Sequence, residues 1–279
     1  MNLSIIIGCY ELTTQIERTI VSIHKALQRV PNITSEIIIA DNSLKAIIDT
    51  SKSKELNFVL REYGHLRQPI HHIINDSVKY SKGNLLCVMI DGARLCSKGV
   101  FRKSLILFQH DPNCLIHIPN FQIGPVHQMY ASEVDFGLKD EERLLIDLGW
   151  PNVHSVDLIR ASTLEEHAGL GPTIFESNCL LVSRRIWDKV GGYDERFLRM
   201  DGGFASADLL YRLSKVCSAL LILKNEGSFH QLHGGSTTIS PKQTEIGLKD
   251  MTTEYRQIKG FPVRRSFGKP VEVIGQQIL

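Results

Sequence analysis

The feature that most constrains the fold of this 279-residue chain is a continuous apolar run that gives way to a helical spacing. Residues 3–8 read Leu-Ser-Ile-Ile-Ile-Gly, without alternation of apolar and polar side chains. Such a run is typical of a strand covered on both faces, as in parallel sheets. The following apolar residues recur every three or four positions, at Ile16, Ile20, Ile23 and Leu27, which predicts an amphipathic helix. A second apolar run at residues 36–40 completes a βαβ unit with a right-handed crossover.

The same alternation continues along the chain. Further strands are predicted over residues 85–90, 113–118, 178–183 and 219–223, and a short one over residues 70–74. Helices are predicted over residues 100–108, 184–190 and 207–215. The fold class is therefore α/β, with a single Rossmann-like open mixed sheet flanked by helices. Residues 236–279 are polar and poor in core residues, and we expect a peripheral C-terminal segment or arm there.

Charge and cysteine content exclude several classes of protein. The formal net charge is +2, from 32 basic and 30 acidic side chains, so no nucleic-acid partner is expected. The six cysteines lie mostly in apolar runs without metal-binding spacing, which favours reduced, buried thiols. No apolar stretch approaches the roughly 20 residues that span a bilayer, and the N-terminus has no basic n-region. A cytoplasmic protein is expected, and the sequence gives no indication of its oligomeric state.

Polar residues follow three of the predicted strands at their carboxyl ends, where open α/β sheets bind their ligands. The first strand ends in Gly8-Cys9-Tyr10-Glu11, the second in Asp41-Asn42-Ser43 and the third in Asp91-Gly92-Ala93-Arg94. Asp41 could accept hydrogen bonds from a ribose or base, whereas a turn-capping aspartate is the alternative. Convergence of the three tips at one edge of the sheet favours a binding site.

Asp91 and two histidines are candidate metal ligands. A carboxylate followed by Gly92 can present its oxygen to Mg²⁺ or Mn²⁺ with little steric hindrance, although Asp-Gly turns are also common structural features. Neutral imidazole from His230 or His233 would suit Mn²⁺ as a supplementary ligand. A histidine that only forms hydrogen bonds is the alternative.

The ordered series of motifs resembles the bacterial family 2 glycosyltransferases and their GT-A fold, over about residues 1–235. Residues 4–11 resemble the opening strand and nucleotide-binding turn of that family, and residues 36–43 resemble the strand whose last aspartate contacts the base. Asn75 and residues 81–91 are similar to the segment that leads to the metal-binding DxD motif. Residues 184–197 are similar to the acceptor-side helix and its Gly-Gly-aromatic-Asp-Glu turn.

The resemblance implies a function and a set of site residues. The chain would transfer a sugar from a nucleotide-sugar donor, with a UDP sugar favoured, to a glycan or another hydroxyl acceptor, as in polysaccharide biosynthesis. Transfer would be inverting and dependent on Mn²⁺ or Mg²⁺. The donor would contact residues of the strand tips and of the segment before the third strand: Gly8, Cys9, Tyr10, Glu11, Asp41, Lys82, Asp91 and Gly92. Asp91, His230 and His233 would hold the metal.

Two acidic motifs of that family are altered here. The DxD position reads Asp91-Gly92-Ala93, so only its first carboxylate is present. Ala205-Ser206 occupy the place of the acidic pair that precedes the Asp-Leu-x-x-Arg helix. An inverting transfer needs a carboxylate that takes the proton of the acceptor hydroxyl. The candidates are Asp201, then Asp208, then Glu176.

Three alternatives are weaker. The missing acidic residues favour an inactive GT-A module that binds nucleotide sugars or has a structural role. A nucleotidyltransferase would need a glycine-rich basic loop after the first strand, where this chain has Gly8 and the acidic Glu11. A dinucleotide-binding Rossmann domain would need a GxGxxG motif there, which is also missing.

Overall fold

Two β-sheets and their flanking helices make up the computed structural model, which describes residues 2–45, 48, 57–165, 174–233, 241–264 and 271–274. The larger sheet has eight strands in the order β12-β10-β6-β9-β4-β1-β2-β3. Its strands are β1 Asn2–Cys9, β2 Thr34–Asp41, β3 Val59–Glu62, β4 Leu85–Met89, β6 Leu115–His117, β9 Cys179–Ser183, β10 Leu220–Leu223 and β12 Val271–Ile274. Strand β9 runs antiparallel to both of its neighbours, and the other pairs are parallel. The predicted mixed α/β sheet is therefore confirmed.

Eight helices connect and cover the strands in the described part of the chain. They are α1 Thr14–Leu27, α2 Ile70–Tyr80, α3 Val100–His110, α4 Leu138–Asp147, α5 Ser155–Arg160, α6 Arg184–Val190, α7 Ala205–Val216 and α8 Pro241–Lys259. The strand predicted over residues 70–74 is wrong, because these residues form the first turns of α2. Ile70, Ile73, Ile74 and Val78 recur at helical spacing and are all buried.

The core has one layer on each face of the larger sheet. Along β1, Ile5 and Ile7 pack with the side chains of α1 and α3, whereas Ile6 packs with those of α2 and α7. All three isoleucines are fully buried, and each contributes about 1.5–3 kcal/mol to stability. The uninterrupted apolar run at the start of the chain thus reflects a strand covered on both faces, as predicted.

A second, smaller sheet contributes to the site described below. Its order is β5-β11-β7-β8, with β5 Arg94–Cys96, β11 Ser228–His230, β7 Asn120–Ile123 and β8 Ser162–Leu164. The register places Arg94 opposite His230, and His230 opposite Gln122 on the other side. Three polar side chains from distant parts of the sequence therefore lie side by side.

The described residues after position 240 lie at the edge of the larger sheet, where α8 packs against the core. Strand β12 pairs with β10, and α8 buries Met251 and Tyr255. The Tyr255 ring lies 5.7 Å from that of Phe197. The six cysteines are buried, as expected. No helix in the described residues combines the length and apolarity that crossing a bilayer demands.

Candidate active site at the carboxyl edge of the sheet

Asp41 and Asp91 lie at the same edge of the larger sheet. Strand β1 lies between β2, which ends in Asp41, and β4, which ends two residues before Asp91. Cys9, the last residue of β1, is paired in register with Asp41. Burial raises the pKa of the Cys9 thiol well above its usual value, and the negative charges of Asp41 and Asp91 raise it further. Both carboxylates are thus close to one thiol, and the strand tips converge as predicted.

Asp41 organises the turn around it. Its Oδ1 atom accepts hydrogen bonds from the backbone amide of Ser43 at 3.0 Å and from the Ser43 hydroxyl at 2.5 Å. The Ser43 hydroxyl oxygen in turn accepts one from the Glu11 amide at 2.7 Å. Burial raises the pKa of Asp41, and the bonds from Ser43 oppose this rise. The turn after β1, with exposed Tyr10 and Glu11, is thereby tied to the end of β2.

Two glycines allow the backbone to pass closely at this edge. A Cβ atom on Gly8 would lie 2.7 Å from the carbonyl oxygen of Ile90, which directly precedes Asp91. A Cβ atom on Gly92 would lie 3.0 Å from the carbonyl oxygen of Gly8. The Gly92 carbonyl accepts a hydrogen bond of 2.6 Å from the Thr19 hydroxyl of α1. These contacts fix the backbone that carries Asp91.

Asp91, His230 and His233 form one cluster. The Asp91 Oδ2 atom lies 2.8 Å from Nε2 of His230 and 3.5 Å from Nε2 of His233. One potential ligand atom from each residue can be chosen so that all three lie within 4.8 Å of one another. The side chains of Asp91 and His233 are 23% and 16% exposed, so the cluster is accessible from solvent. Two imidazoles and a carboxylate are a ligand set that can hold a divalent transition-metal ion.

Hydrogen bonds fix the tautomer of His230. The Gln122 amide nitrogen donates to a carboxylate oxygen of Glu165 at 2.9 Å, so the amide oxygen faces His230. That oxygen can only accept, so the Nδ1 atom of His230, 3.0 Å away, carries the hydrogen. Burial and the charge of Arg94 outweigh the attraction of Asp91 and lower the pKa of His230 to about 4.

A neutral His230 with its hydrogen on Nδ1 presents an Nε2 lone pair to Asp91. The Nε2 atom of His233 lies 2.7 Å from the same nitrogen. Lone pairs that converge at these distances repel one another unless a proton or a cation lies between them. The donor set therefore fits a divalent cation, with Gln122 as the outer partner that orients one ligand.

The segment that carries both histidines is held from several sides. The Leu232 amide donates to the buried carboxylate of Glu141 on α4 at 2.5 Å, and the Gln231 amide donates to the carbonyl oxygen of Ala93 at 2.8 Å. The side-chain amide of Gln15 donates to the carbonyl oxygen of Leu232 at 3.0 Å. Burial raises the pKa of Glu141 to about 7, although the Leu232 amide and Arg18 oppose this rise. The histidine positions are thus fixed by contacts with α1, α4 and the turn after Asp91.

Glu176 lies in the charged surroundings of this cluster. Its side chain is partly accessible, and burial, followed by the negative charge of Glu165, raises its pKa to about 7, although Arg94 and a hydrogen bond with Asn178 lower it. Arg94 itself is buried, with a guanidinium nitrogen 3.5 Å from Asp91 Oδ2. A carboxylate with a pKa near 7 is well matched to proton transfer at neutral pH.

The other two candidate bases are held by cations. Asp201 accepts hydrogen bonds from the Arg199 guanidinium at 2.8 and 3.1 Å, in a turn whose Gly202 and Gly203 have positive φ angles. Asp208 is buried, with its two oxygens 2.7 Å from Arg212 and Lys259 respectively. Because Arg212 lies on α7 and Lys259 on α8, these ion pairs join the two helices.

The predicted place of Lys82 in the donor-binding set requires a correction. It lies at the amino end of β4, where its amide donates to the Glu36 carboxylate at 2.5 Å. The adjacent Gly83 amide donates to the Ser4 hydroxyl at 2.7 Å, near the start of β1. The whole length of β4 therefore separates Lys82 from Asp91, and Lys82 is not part of this edge.

Several residues of the site were not predicted from the sequence. Gln122, Glu165 and Glu141 all contact the metal-ligand candidates or their immediate partners, and Arg94, which the sequence places in the third polar strand end without a role, pairs with Asp91. Arg94 and Gln122 reach His230 through strands of only three and four residues. Such short strands carry no readable periodicity, so their register was not predictable.

The fold is similar to solved structures of TarS from S. aureus. The TarS structure aligns with a TM-score of 0.55 at 10% identity, over 92% of this chain and 40% of that one. TarS 1–349 aligns with a TM-score of 0.51 at 9% identity, over 92% of this chain and 66% of that one. The complex of TarS 1–349 with UDP-GlcNAc aligns with a TM-score of 0.51 at 12% identity, over 92% of this chain and 67% of that one.

These similarities identify a GT-A-like fold, as predicted. The chain spans 40% of the length of the first of these TarS structures. No known protein-family model matches the sequence, and no curated protein matches it either.

Proposed function

We propose that this chain is a metal-dependent glycosyltransferase of the family 2 type, which transfers a sugar from a nucleotide-sugar donor to a hydroxyl acceptor with inversion. The observation that carries the proposal is the cluster of Asp91, His230 and His233 at the same sheet edge as Asp41, where an α/β sheet binds ligands. The similarity to a TarS structure in complex with UDP-GlcNAc supports a UDP sugar as the donor.

Asp91, His230 and His233 would hold the metal in this proposal. Two imidazole ligands favour Mn²⁺ over Mg²⁺, because Mg²⁺ prefers oxygen ligands. A bound divalent cation would neutralise the charge that develops on the leaving diphosphate. The altered DxD motif is then compensated by the histidines, which take the place of its second carboxylate.

Asp41 and the turn after β1 would bind the nucleoside. One carboxylate oxygen of Asp41 accepts the hydrogen bonds of Ser43. Its other oxygen is a candidate acceptor for a hydrogen bond from a ribose or a base. Glu11 and Tyr10 are exposed beside it, and Gly8, Cys9 and Gly92 shape the backbone of the same edge. Lys82 is left out of this set because of its position at the opposite edge.

Glu176 is our choice for the general base among the three candidates. Its pKa of about 7 and its partial accessibility suit removal of a proton from an acceptor hydroxyl. The oxygen of that hydroxyl would attack the anomeric carbon in line with the departing diphosphate. Asp208 would instead brace α7 and α8, and Asp201 would order its turn.

Thermal unfolding with UDP and UDP-GlcNAc, each with and without Mn²⁺, tests the binding part of the proposal. Wild-type protein should gain stability with nucleotide and Mn²⁺ together, by an amount that grows with ligand concentration. Asp91→Ala should lose the part of the shift that requires the metal. Exposed Asp188, on α6, provides the matched control, and Asp188→Ala should keep the whole shift.

Release of UDP from UDP-GlcNAc separates an active enzyme from an inactive binding module. An enzyme should hydrolyse the donor slowly without an acceptor, and faster when the correct hydroxyl acceptor is present. A nucleotide-dependent stability shift without any UDP release, across a broad panel of nucleotide sugars and acceptors, would favour the inactive module. A wild-type protein that lacks any shift with nucleotide and Mn²⁺ would contradict the binding site itself.

A further inference from the structure

A second recess lies away from the carboxyl edge, and basic side chains dominate its lining. Its volume is about 210 Å³, and it is bounded by the end of α1, the start of α3 and the start of α5. The basic residues that line it are Arg29, Lys98, Arg102, Lys103 and His154. We refer to it as the basic pocket.

Among the described residues, carboxylates neutralise only a small part of this positive charge. Lys103 forms an ion pair of 2.6 Å with Glu226. In contrast, Arg29, Lys98 and Arg102 form no ion pair with any carboxylate in the described part of the chain. The Lys98 ammonium instead donates to the carbonyl oxygen of Asn152 at 2.6 Å. Three cations thus line one recess without a paired carboxylate from the part of the chain that the structure describes.

Hydrogen bonds to a buried carboxylate hold the loop that forms one wall of the basic pocket. Glu226 is buried and accepts hydrogen bonds from the Ser97 hydroxyl at 2.6 Å and from the Gly99 amide at 3.1 Å. These bonds fix the loop that carries Lys98 into the start of α3. Burial lowers the pKa of Lys98, and the charges of Arg29 and Lys25 lower it further. Cations held this close together gain from an anion placed between them.

We propose that the basic pocket binds a phosphate group, carried either by a soluble phosphate ester or by a phospholipid headgroup. Guanidinium groups such as those of Arg29 and Arg102 can hold phosphate oxygens with two hydrogen bonds each, and Lys98 adds a compact charge. The start of α3 contributes the positive end of a helix dipole. Ile106 offers an apolar contact for the organic part of the ligand.

The basic pocket is separate from the proposed donor site. Helix α1 contacts Gly92, next to Asp91, through Thr19, and it ends at Leu27 near the pocket. Eight residues of helix span about 12 Å. The proposal therefore does not depend on the glycosyltransferase assignment, and either can fail without the other.

Calorimetric titration with inorganic pyrophosphate, in buffer free of divalent metals, tests the proposal on the full chain. The double variant Arg29→Ala/Arg102→Ala should bind pyrophosphate at least about tenfold more weakly than wild type, because two charge-assisted contacts are lost. The matched control is Lys139→Ala/Arg143→Ala, which removes two exposed cations of α4. That variant should bind as wild type does. Thermal unfolding of each variant checks that it is folded.

Cosedimentation with vesicles distinguishes the two sources of phosphate. Vesicles of equal parts phosphatidylcholine and phosphatidylglycerol are compared with vesicles of phosphatidylcholine alone. Binding only to the anionic vesicles, lost in Arg29→Ala/Arg102→Ala, identifies a lipid headgroup, whereas pyrophosphate binding without vesicle binding identifies a soluble ester. Absence of saturable pyrophosphate binding by wild type, or equal weakening in the pocket and control variants, would overturn the proposal.

Discussion

The Nε2 atoms of His230 and His233 lie 2.7 Å apart, and both face the same carboxylate oxygen of Asp91. Strand β11 ends at His230, and the chain then folds back so that His233 returns to the same point. Glu141 fixes this return through the Leu232 amide. The fold thus brings together two histidines and an aspartate that is 139 residues before the first of them.

Gln122→Met should weaken metal binding without removing a ligand. The substitution abolishes the acceptor for the Nδ1 hydrogen of His230, so the imidazole loses the contact that orients it. Loss of such an outer partner lowers metal affinity by about 10–100-fold. Titration of the protein with Mn²⁺, followed by electron paramagnetic resonance, measures the change. Gln109→Met, at an exposed position of α3, is the control, and unchanged affinity in Gln122→Met would contradict the orienting role.

Glu176→Gln should abolish the dependence of activity on a base with a pKa of about 7. A general base acts in its ionised form, so the wild-type kcat/KM should rise with pH and level off above about pH 7. The glutamine variant should be about 10²–10⁴-fold slower than wild type. Its kcat/KM should also no longer show this pH dependence. Donor binding, measured by thermal unfolding with UDP and Mn²⁺, should stay as in wild type. The same kinetics on Asp201→Asn tests the competing base, and a loss confined to that variant would transfer the role to Asp201.

The sequence predicted the parts of this fold that depend on local pattern. Residues 3–8 and 36–40 are apolar throughout because β1 and β2 are covered on both faces, so their burial is visible in the sequence. The strand predicted after Pro69 is wrong, because Ile-His-His-Ile-Ile is too short to distinguish a strand from a turn of a buried helix. Packing of α2 against β1 and β2 settles that choice in the folded protein.

The site was predictable only where it coincides with strand ends. Asp41 and Asp91 follow apolar runs, so their shared edge follows from the topology of parallel strands. Arg94 and Gln122 reach His230 through the register of the small sheet, which depends on tertiary contacts. The donor-binding role of Lys82 is implied only by the resemblance of its segment to the one that leads to the DxD motif, and an intervening strand places Lys82 and Asp91 at opposite edges.

Asp208→Asn should destabilise the protein without a specific loss of catalysis. Asp208 is buried and pairs with Arg212 and Lys259, so its substitution leaves Arg212 beside a neutral group, whereas Lys259 keeps its ion pair with Asp194. Breaking a buried ion pair costs roughly 3–5 kcal/mol. Urea unfolding measures this loss, with exposed Asp188→Asn as the control that should unfold as wild type does. A stable Asp208→Asn variant with a greatly reduced kcat would instead indicate that Asp208 takes part in catalysis.

Asp41→Asn and Lys82→Ala should differ in their effects on nucleotide binding, since the two residues lie at opposite edges of the sheet. Asparagine retains an oxygen that can accept the hydrogen bonds of Ser43, so the variant removes the charge while the turn stays in place. Hydrogen bonds to a charged group contribute about 1.5–3 kcal/mol, so the affinity for UDP should fall roughly tenfold or more. Lys82→Ala should bind UDP as wild type does, because its surroundings are Glu36 and the start of β1. Calorimetric titration with UDP and Mn²⁺ measures both, and equal losses in the two variants would contradict a nucleotide site at the carboxyl edge.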